Sequence, residues 1–141
     1  MANKVPILVV DDSEQDVFFL RRAFKIAGLD PWIIHVLDGE QALDYLRGLN
    51  NFKDRSYYPL PKLILLDVKM PKRDGFDVLR LLTRQELENL TVVMFSSSFH
   101  HDAIEKAKAL GAADYLRKPT VAEGFYQTVQ TITRRWLTDP G

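Results

Sequence analysis

Four charged residues close short apolar runs of the chain: Asp11, Asp12, Asp67 and Lys118. If these runs are neighbouring strands of a parallel sheet, the carboxyl ends of the strands bring all four side chains into one pocket. Three carboxylates at close range repel one another, so they call for a cation. A lysine beside them needs an anion to hold. A divalent metal ion together with a phosphoryl group satisfies both requirements, and the spacing therefore indicates phosphoryl chemistry.

Positioning these residues requires several buried strands separated by helices. The continuity of the apolar runs predicts strands that are covered on both faces, and helical patterns fill the intervals. The predicted strands are 5–10, 32–37, 62–66, 91–95 and 113–116, and the predicted helices are 14–27, 39–48, 75–88, 100–110 and 121–137. Five strand–helix units with right-handed crossovers predict one three-layer, doubly wound α/β domain, in which strand one lies beside strand three.

Composition excludes several kinds of protein. The chain has 141 residues, 46% of them hydrophobic, and 19 basic residues balance 19 acidic ones, which argues against nucleic-acid binding through bulk charge. There is no cysteine, so disulfides, thiol catalysis and cysteine-ligated zinc are excluded. No apolar run approaches the roughly 20 residues that span a bilayer, and the start is too short for a signal peptide. We expect a cytoplasmic protein that forms a single domain over 1–141, with its core at about 5–137 and no output domain.

The segment 48–61 is long for a loop between a helix and a strand. The simpler interpretation, which we favour, is a tolerated surface insertion. The alternative is a loop that docks a partner, because Phe52, Tyr57 and Tyr58 are costly to leave in water.

The turn after the first strand argues against nucleotide binding. It reads Asp11-Asp12-Ser13 and has no glycine-rich phosphate loop. Carboxylates repel phosphate but suit Mg²⁺, which prefers oxygen ligands and keeps several waters. With the metal present, an aspartate can act as the nucleophile and form an acyl phosphate. Lys118 and the hydroxyl of Ser96 can then hold the phosphoryl oxygens.

These motifs together resemble those of response-regulator receiver domains of two-component signalling, the CheY-like family, over nearly the whole chain. The matching pieces are Val9-Val10-Asp11-Asp12-Ser13, Leu65-Leu66-Asp67, Met70-Pro71, Asp74-Gly75, Ser96 and Lys118-Pro119. The resemblance implies a flavodoxin-like (βα)5 fold with a five-stranded parallel sheet of order 2-1-3-4-5. The 48–61 segment, the missing output domain and the ending Arg135-Trp136-Leu137 most resemble stand-alone regulators associated with bacterial phytochromes.

The resemblance also implies the chemistry of the pocket. Asp67 would accept a phosphoryl group from a phosphohistidine on a sensor histidine kinase, for which a phytochrome-type kinase is one candidate, or on a phosphotransfer protein. Asp12 and Asp67 would bind Mg²⁺ directly, Asp11 would act mainly through water, and the backbone carbonyl of Lys69 would complete the protein ligands. Lys118 would hold the phosphoryl group. A cis bond between Lys118 and Pro119, which the family often shows, would help to aim it, and the sequence leaves the isomer open.

The same resemblance implies a conformational switch that responds to phosphorylation. Ser96 stands where the family most often has threonine and keeps the hydroxyl. Tyr115 would be the aromatic residue that turns inward as this hydroxyl moves to the phosphoryl group. The change would reach a surface made of predicted helix 100–110, the fifth strand and predicted helix 121–137, through which such regulators often form homodimers.

The first predicted helix carries a candidate docking face for the kinase. Its apolar face predicts that Gln15, Phe18 and Arg22 point away from the core, with Phe19 near the boundary. An outward phenylalanine beside the pocket favours docking of a helical kinase element. Packing of that ring on a neighbouring side chain is the alternative, and the sequence leaves both open.

Two other functions compete with that of a phosphorylated regulator. A phosphorylation-independent binding module would keep the fold but lose an acidic or lysine position, and none is lost here. A Mg²⁺-dependent aspartyl-phosphate phosphohydrolase would need a dedicated general acid or base, and no Asp-x-Asp follows the first strand. We therefore expect a protein that is not an enzyme, beyond its own phosphorylation and dephosphorylation. The downstream target is not identified by the sequence, and no nucleic acid or membrane is expected as a partner.

Overall fold

The central element of the structure, a computed structural model that describes residues 4–137, is a five-stranded parallel sheet. The strands are β1 (Pro6–Val10), β2 (Trp32–Val36), β3 (Leu63–Leu66), β4 (Val92–Ser96) and β5 (Asp114–Arg117). Their order is β2-β1-β3-β4-β5, as the sequence predicts. The remaining residues of the expected 1–141 domain, 1–3 and 138–141, lie outside the described part.

Six α-helices cover the sheet within residues 4–137. They are α1 (Glu14–Ile26), α2 (Gly39–Arg47), α3 (Gly75–Leu81), α4 (Arg84–Glu88), α5 (His101–Ala109) and α6 (Gly124–Ile132). A 3-10 turn at Asn50–Phe52 follows α2, and a π-helical turn at Thr133–Leu137 extends α6. None of the helices within this range is long and apolar enough to cross a membrane.

Two hydrophobic clusters, one on each face of the sheet, form the three layers. The strands β3 and β4 are buried at every position, and β1 is buried beyond its first residue. Successive residues of these strands, such as Ile7 and Leu8, face opposite clusters. Because the side chains of a strand alternate between faces, an uninterrupted apolar run is what a strand covered on both sides requires.

The prediction of one helix over 75–88 is wrong, because the chain breaks at Leu82. This residue has an extended backbone (φ −73°, ψ 134°), and Thr83 then caps α4 through a reciprocal pair of hydrogen bonds with Glu86. Arg47 of α2 secures the break, since its guanidinium donates to the Leu81 carbonyl at 2.7 Å and pairs with Glu86. The sequence does carry the signal for a new helix start, a threonine followed three residues later by glutamate.

The 48–61 segment is anchored to the end of α2. The guanidinium of Arg55 donates hydrogen bonds to the carbonyls of Tyr45 (2.8 Å), Leu46 (3.0 Å) and Tyr58 (3.0 Å). The last carbonyls of a helix have no partner within the helix, so this side chain caps α2. Gly48 allows the turn, with φ of +65°.

The aromatic residues of this segment are mostly packed. Phe52 and Tyr58 lie with their ring centroids 5.2 Å apart and both contact the buried ring of Tyr45. Tyr57 alone of the three aromatic residues in the segment is well exposed, at 70%. The structure therefore favours a packed insertion, and the argument for a docking loop applies only to Tyr57.

Replacing the anchoring arginine tests this account. Arg55→Met should lower the free energy of unfolding by about 2 kcal/mol, because two helix-end carbonyls and the Tyr58 carbonyl lose a charged donor. Lys53→Met, at an exposed position of the same segment, should leave it nearly unchanged. Urea denaturation measures both, and equal midpoints for the two variants would contradict a capping role.

Candidate functional site

The acidic residues meet at the carboxyl edge of the sheet because the backbone hydrogen bonds between neighbouring strands continue into these residues. The amide of Asp67 donates to the Val10 carbonyl at 3.0 Å, and that of Asp11 donates to the Val36 carbonyl at 3.1 Å. Carboxylate oxygens of Asp11, Asp12 and Asp67 all lie within 4.8 Å of one another. Asp11 and Asp67 are buried, whereas Asp12 is exposed. The sequence prediction that these three groups share one pocket is thus matched by the geometry.

Local hydrogen bonds fix the two buried carboxylates. Oδ1 of Asp11 accepts from the Ser13 amide at 2.9 Å, and Oδ1 of Asp67 accepts from the Val68 amide at 2.7 Å. In each case the other oxygen is free of the backbone and turns toward Lys118. The side chains therefore have one oxygen held and one oxygen directed into the pocket.

Lys118 closes the pocket from β5. Its amide donates to the Ser96 carbonyl at 2.9 Å, which continues the ladder between β4 and β5. The ammonium lies 2.8 Å from an oxygen of each of Asp11, Asp16 and Asp67. The sequence leaves the isomer of the bond between Lys118 and Pro119 open, and in the structure this bond is trans.

Burial and charge set the ionisation of these groups. Burial raises the pKa of Asp11 to about 6, although Lys118 and the Ser13 amide act in the opposite direction. Burial by itself would lower the pKa of Lys118, but hydrogen bonds to Asp11, Asp16 and Asp67 raise it above its ordinary value. The lysine therefore stays charged. Ionising the buried Asp11 carboxylate costs free energy, and a bound cation would remove that cost.

The three aspartates fit a hard divalent cation. They offer carboxylate oxygens, which are the ligands Mg²⁺ prefers, and they are close enough to share one ion. In the described residues, no other cluster of three histidines or acids lies this close together. Lys69, whose carbonyl is the expected further ligand, stands two residues beyond Asp67 with an exposed side chain.

The two residues of the expected switch lie on β4 and β5. Ser96 is buried and its hydroxyl accepts from the Ser98 amide at 3.1 Å. Tyr115 already points inward, where its hydroxyl donates to the Ser98 carbonyl and its ring meets Phe99. Burial raises the pKa of Tyr115, Ser96 opposes this, and the charge of Asp67 adds to it. The tyrosine is therefore within electrostatic reach of the pocket.

The candidate docking residues on α1 are only partly free. Gln15, Phe18 and Arg22 are exposed, and the Phe18 side chain is 59% accessible. Phe19 is half-buried, because its ring packs against Phe125 of α6 at 5.5 Å. Phe18 points outward as predicted, and its ring also packs edge-on against that of Phe19 at 5.8 Å, so both alternatives hold in part.

Three features of the site were not predicted from the sequence. Asp16 contacts Lys118 at 2.8 Å, although its position in the first turn of α1 suggests only a favourable helix-dipole charge. Nε2 of His35 lies 2.7 Å from the Asp11 carbonyl, which can only accept, so this nitrogen carries the proton. Gly75 sits so close to Asp67 that a Cβ there would lie 2.2 Å from the Asp67 carbonyl oxygen.

Comparison with known proteins agrees with this geometry. The family model described as "Response regulator receiver domain" matches residues 7–130. The chain is 37% identical over 132 residues to a probable methanogenesis regulatory protein, FilR2, of Methanothrix harundinacea, covering 93% of this chain and 83% of that protein. It is 30% identical to the response regulator Rcp1 of Synechocystis, covering 93% and 88%.

Solved structures of similar proteins have the same fold. The Mn²⁺-bound form of Rcp1 superposes with a TM-score of 0.82 at 29% identity, covering 97% of this chain and 99% of that one. The phosphorylated cyanobacterial phytochrome response regulator RcpA superposes with a TM-score of 0.85 at 28% identity, covering 99% and 100%.

Proposed function

Because this chain belongs to the response-regulator receiver domain family, we propose that Asp67 accepts a phosphoryl group from a phosphohistidine, with Mg²⁺ bound beside it. The donor would be a sensor histidine kinase or a phosphotransfer protein, and the product would switch a protein-interaction surface. One observation carries the proposal: the Lys118 ammonium and a cluster of three carboxylates meet at a single oxygen-lined edge. This arrangement fits a site that forms an acyl phosphate better than it fits a site that only holds a structural ion pair.

The metal would be held by Asp12 and Asp67 directly, by Asp11 mainly through water, and by the carbonyl of Lys69. When bound, Mg²⁺ supplies positive charge that screens the carboxylates and supports the transferring group. The similar protein Rcp1 has a structure in a Mn²⁺-bound form, which supports a divalent ion as the cofactor. The close carboxylate oxygens of this chain provide the donor set that the ion needs.

In the transfer, an oxygen of Asp67 attacks phosphorus while the bond from phosphorus to the donor imidazole nitrogen breaks. The imidazole nitrogen keeps the electron pair of the broken bond, and an acyl phosphate forms on Asp67. Lys118 is already 2.8 Å from Oδ2 of Asp67, so its ammonium can turn to a phosphoryl oxygen over a short distance. The Ser96 hydroxyl can hold a second oxygen, from the neighbouring strand.

The signal would leave through Ser96 and Tyr115. Both are tied to Ser98, one to its amide and the other to its carbonyl, so movement of the serine hydroxyl changes the anchor of the tyrosine. The affected surface consists of α5, β5 and α6, which could also form a homodimer. Exposed Phe99 lies in this region.

The kinase would dock on α1 through Gln15, Phe18 and Arg22, with Phe19 supporting the helix from below. Phe18 is a large apolar side chain that stays 59% exposed despite its contact with the Phe19 ring, and such a side chain suits a helical partner. The likeness to the phytochrome response regulator RcpA supports a phytochrome-type kinase as the candidate donor.

Incubation with acetyl phosphate and Mg²⁺, followed by intact-mass analysis, tests the acceptor. We expect one phosphoryl adduct in the wild type, none in Asp67→Asn, and none when EDTA replaces Mg²⁺. Asp102→Asn, at an exposed position on α5, is the matched control and should be modified like the wild type. Absence of any adduct would favour a phosphorylation-independent binding module instead. Turnover of a small phosphoester with Mg²⁺ would favour a phosphohydrolase.

A further inference from the structure

Asp16 is a third carboxylate on the ammonium of Lys118. A lysine ammonium has three N–H groups, and here they meet Asp11, Asp16 and Asp67 at equal distances of 2.8 Å. Asp16 differs from the other two because it does not belong to the group of close acids that fits the metal. It is also the more open partner, with a side chain 25% exposed, against 3% for Asp11 and 9% for Asp67.

Helix α1 holds Asp16 in place independently of the lysine. Ser13 caps the helix, and its hydroxyl accepts from the Asp16 amide at 3.2 Å. The carboxylate of Asp16 is therefore presented to Lys118 by a capped helix start, which the amide of Ser13 also ties to Oδ1 of Asp11 at 2.9 Å. This makes Asp16 a fixed counter-ion at the edge of the pocket.

Cation binding changes what the other two partners can offer. A divalent ion bound by Asp67 and lying near Asp11 neutralises the negative charge that attracts the Lys118 ammonium. The ion also repels the ammonium directly. Lys118 is buried, and a buried charge without a partner is unfavourable. Asp16 is the partner of Lys118 that the ion leaves free.

We infer that Asp16 is a positioning residue that retains the Lys118 ammonium at the pocket when a divalent cation occupies the acidic cluster. The inference rests on the proposed function, since it assumes the metal site described there. In the metal-free protein Lys118 has three partners, so each is partly redundant. In the metal-bound protein Asp16 carries most of the pairing, so it stabilises the bound form more than the free form.

The test is Mg²⁺ affinity, measured by isothermal titration calorimetry without any phosphodonor. Asp16→Asn should weaken Mg²⁺ binding about tenfold, which is the effect of losing one hydrogen bond between charged groups. Glu14→Gln removes the same charge from the same turn of α1, at an exposed position, and should change the affinity less than about twofold. Asp16→Ser is a second variant and should behave like Asp16→Asn.

A double-mutant cycle separates action through Lys118 from a general charge effect. In a Lys118→Met background, Asp16→Asn should change Mg²⁺ affinity less than about twofold. An equal loss in both backgrounds, or no loss in the wild-type background, overturns the inference. The mass assay for the adduct tests the proposed function separately. A wild type that binds Mg²⁺ but forms no adduct would contradict phosphorylation. The Mg²⁺ affinities of the variants would still decide the role of Asp16.

Discussion

Gly75→Ala is expected to lower the free energy of unfolding by about 3 kcal/mol or more and to slow phosphorylation of Asp67 about a hundredfold. A Cβ at this position would lie 2.2 Å from the Asp67 carbonyl oxygen and 3.1 Å from the Asp67 carbonyl carbon, both of them backbone atoms. Neither can rotate away, so α3 and the end of β3 must separate by about 1 Å. The amide of Gly75, which donates to the Val68 carbonyl at 2.8 Å, moves with them.

The loss of rate follows from the loss of position. Asp67 must present one oxygen to phosphorus while Lys118 keeps its place, and a displacement of about 1 Å in a preorganised site costs roughly a hundredfold in rate. The gain in helix propensity from alanine is at most about 1 kcal/mol and does not offset the overlap.

Gly28→Ala is the matched control for this variant. Gly28 has a positive φ of +76°, but nothing lies within 4 Å of a Cβ built there. It should cost about 1 kcal/mol through backbone strain and leave phosphorylation unchanged. Thermal or urea unfolding and the initial rate of adduct formation measure both effects, and a Gly75→Ala protein as stable as Gly28→Ala would contradict the close approach.

Asp11→Asn is expected to stabilise the metal-free protein by up to about 3 kcal/mol near neutral pH. Burial raises the pKa of Asp11 from 3.8 to about 6, so the folded state binds its proton more tightly than the unfolded state does. Each unit of pKa difference corresponds to about 1.4 kcal/mol. The wild type is therefore penalised for ionising a buried carboxylate, and asparagine avoids the penalty.

The dependence on pH has a definite sign. The folded pKa lies above the unfolded one, so the contribution of Asp11 to stability is full below about pH 4 and is lost as the pH rises through about 6. The advantage of Asp11→Asn should accordingly vanish near pH 4 and reach its full size above about pH 7. Mg²⁺ should reduce or reverse it, because the ion stabilises the ionised wild-type carboxylate.

Urea denaturation in EDTA, repeated with Mg²⁺ across this pH range, checks the prediction. Asp102→Asn removes an exposed carboxylate and should shift stability by no more than about 0.5 kcal/mol at any pH. A destabilising effect of Asp11→Asn in EDTA at neutral pH would show that the ion pair with Lys118 outweighs the burial of Asp11.

The sheet and most of the pocket could be predicted because they follow from local patterns. Uninterrupted apolar runs specify strands buried on both faces, and the ends of parallel strands gather whatever polar residues follow them. Asp11, Asp67 and Lys118 meet for this reason. The sequence order of the motifs then adds the identity of the family.

The remaining features depend on contacts between distant segments. The contact of Asp16 with Lys118 joins residues far apart in the chain, and nothing near Asp16 distinguishes it from an ordinary helix-start acid. The anchoring of 48–61 by Arg55 depends in the same way on carbonyls of α2. The break at Leu82 is different, because the capping pair of Thr83 and Glu86 was present in the sequence and an apparently continuous helical pattern concealed it.

The tight contact at Gly75 gives the pocket a mechanical asymmetry. On the α3 flank, the Asp67 backbone already lies against a residue that has no side chain, so this flank cannot yield inward. On β4 and β5, by contrast, Ser96 and Tyr115 are held through hydroxyl groups, which can reorient by rotation about single bonds. If Asp67 is phosphorylated as proposed, we expect the resulting strain to be relieved toward Ser96 and Tyr115, because the contact with Gly75 leaves no room on the side of α3.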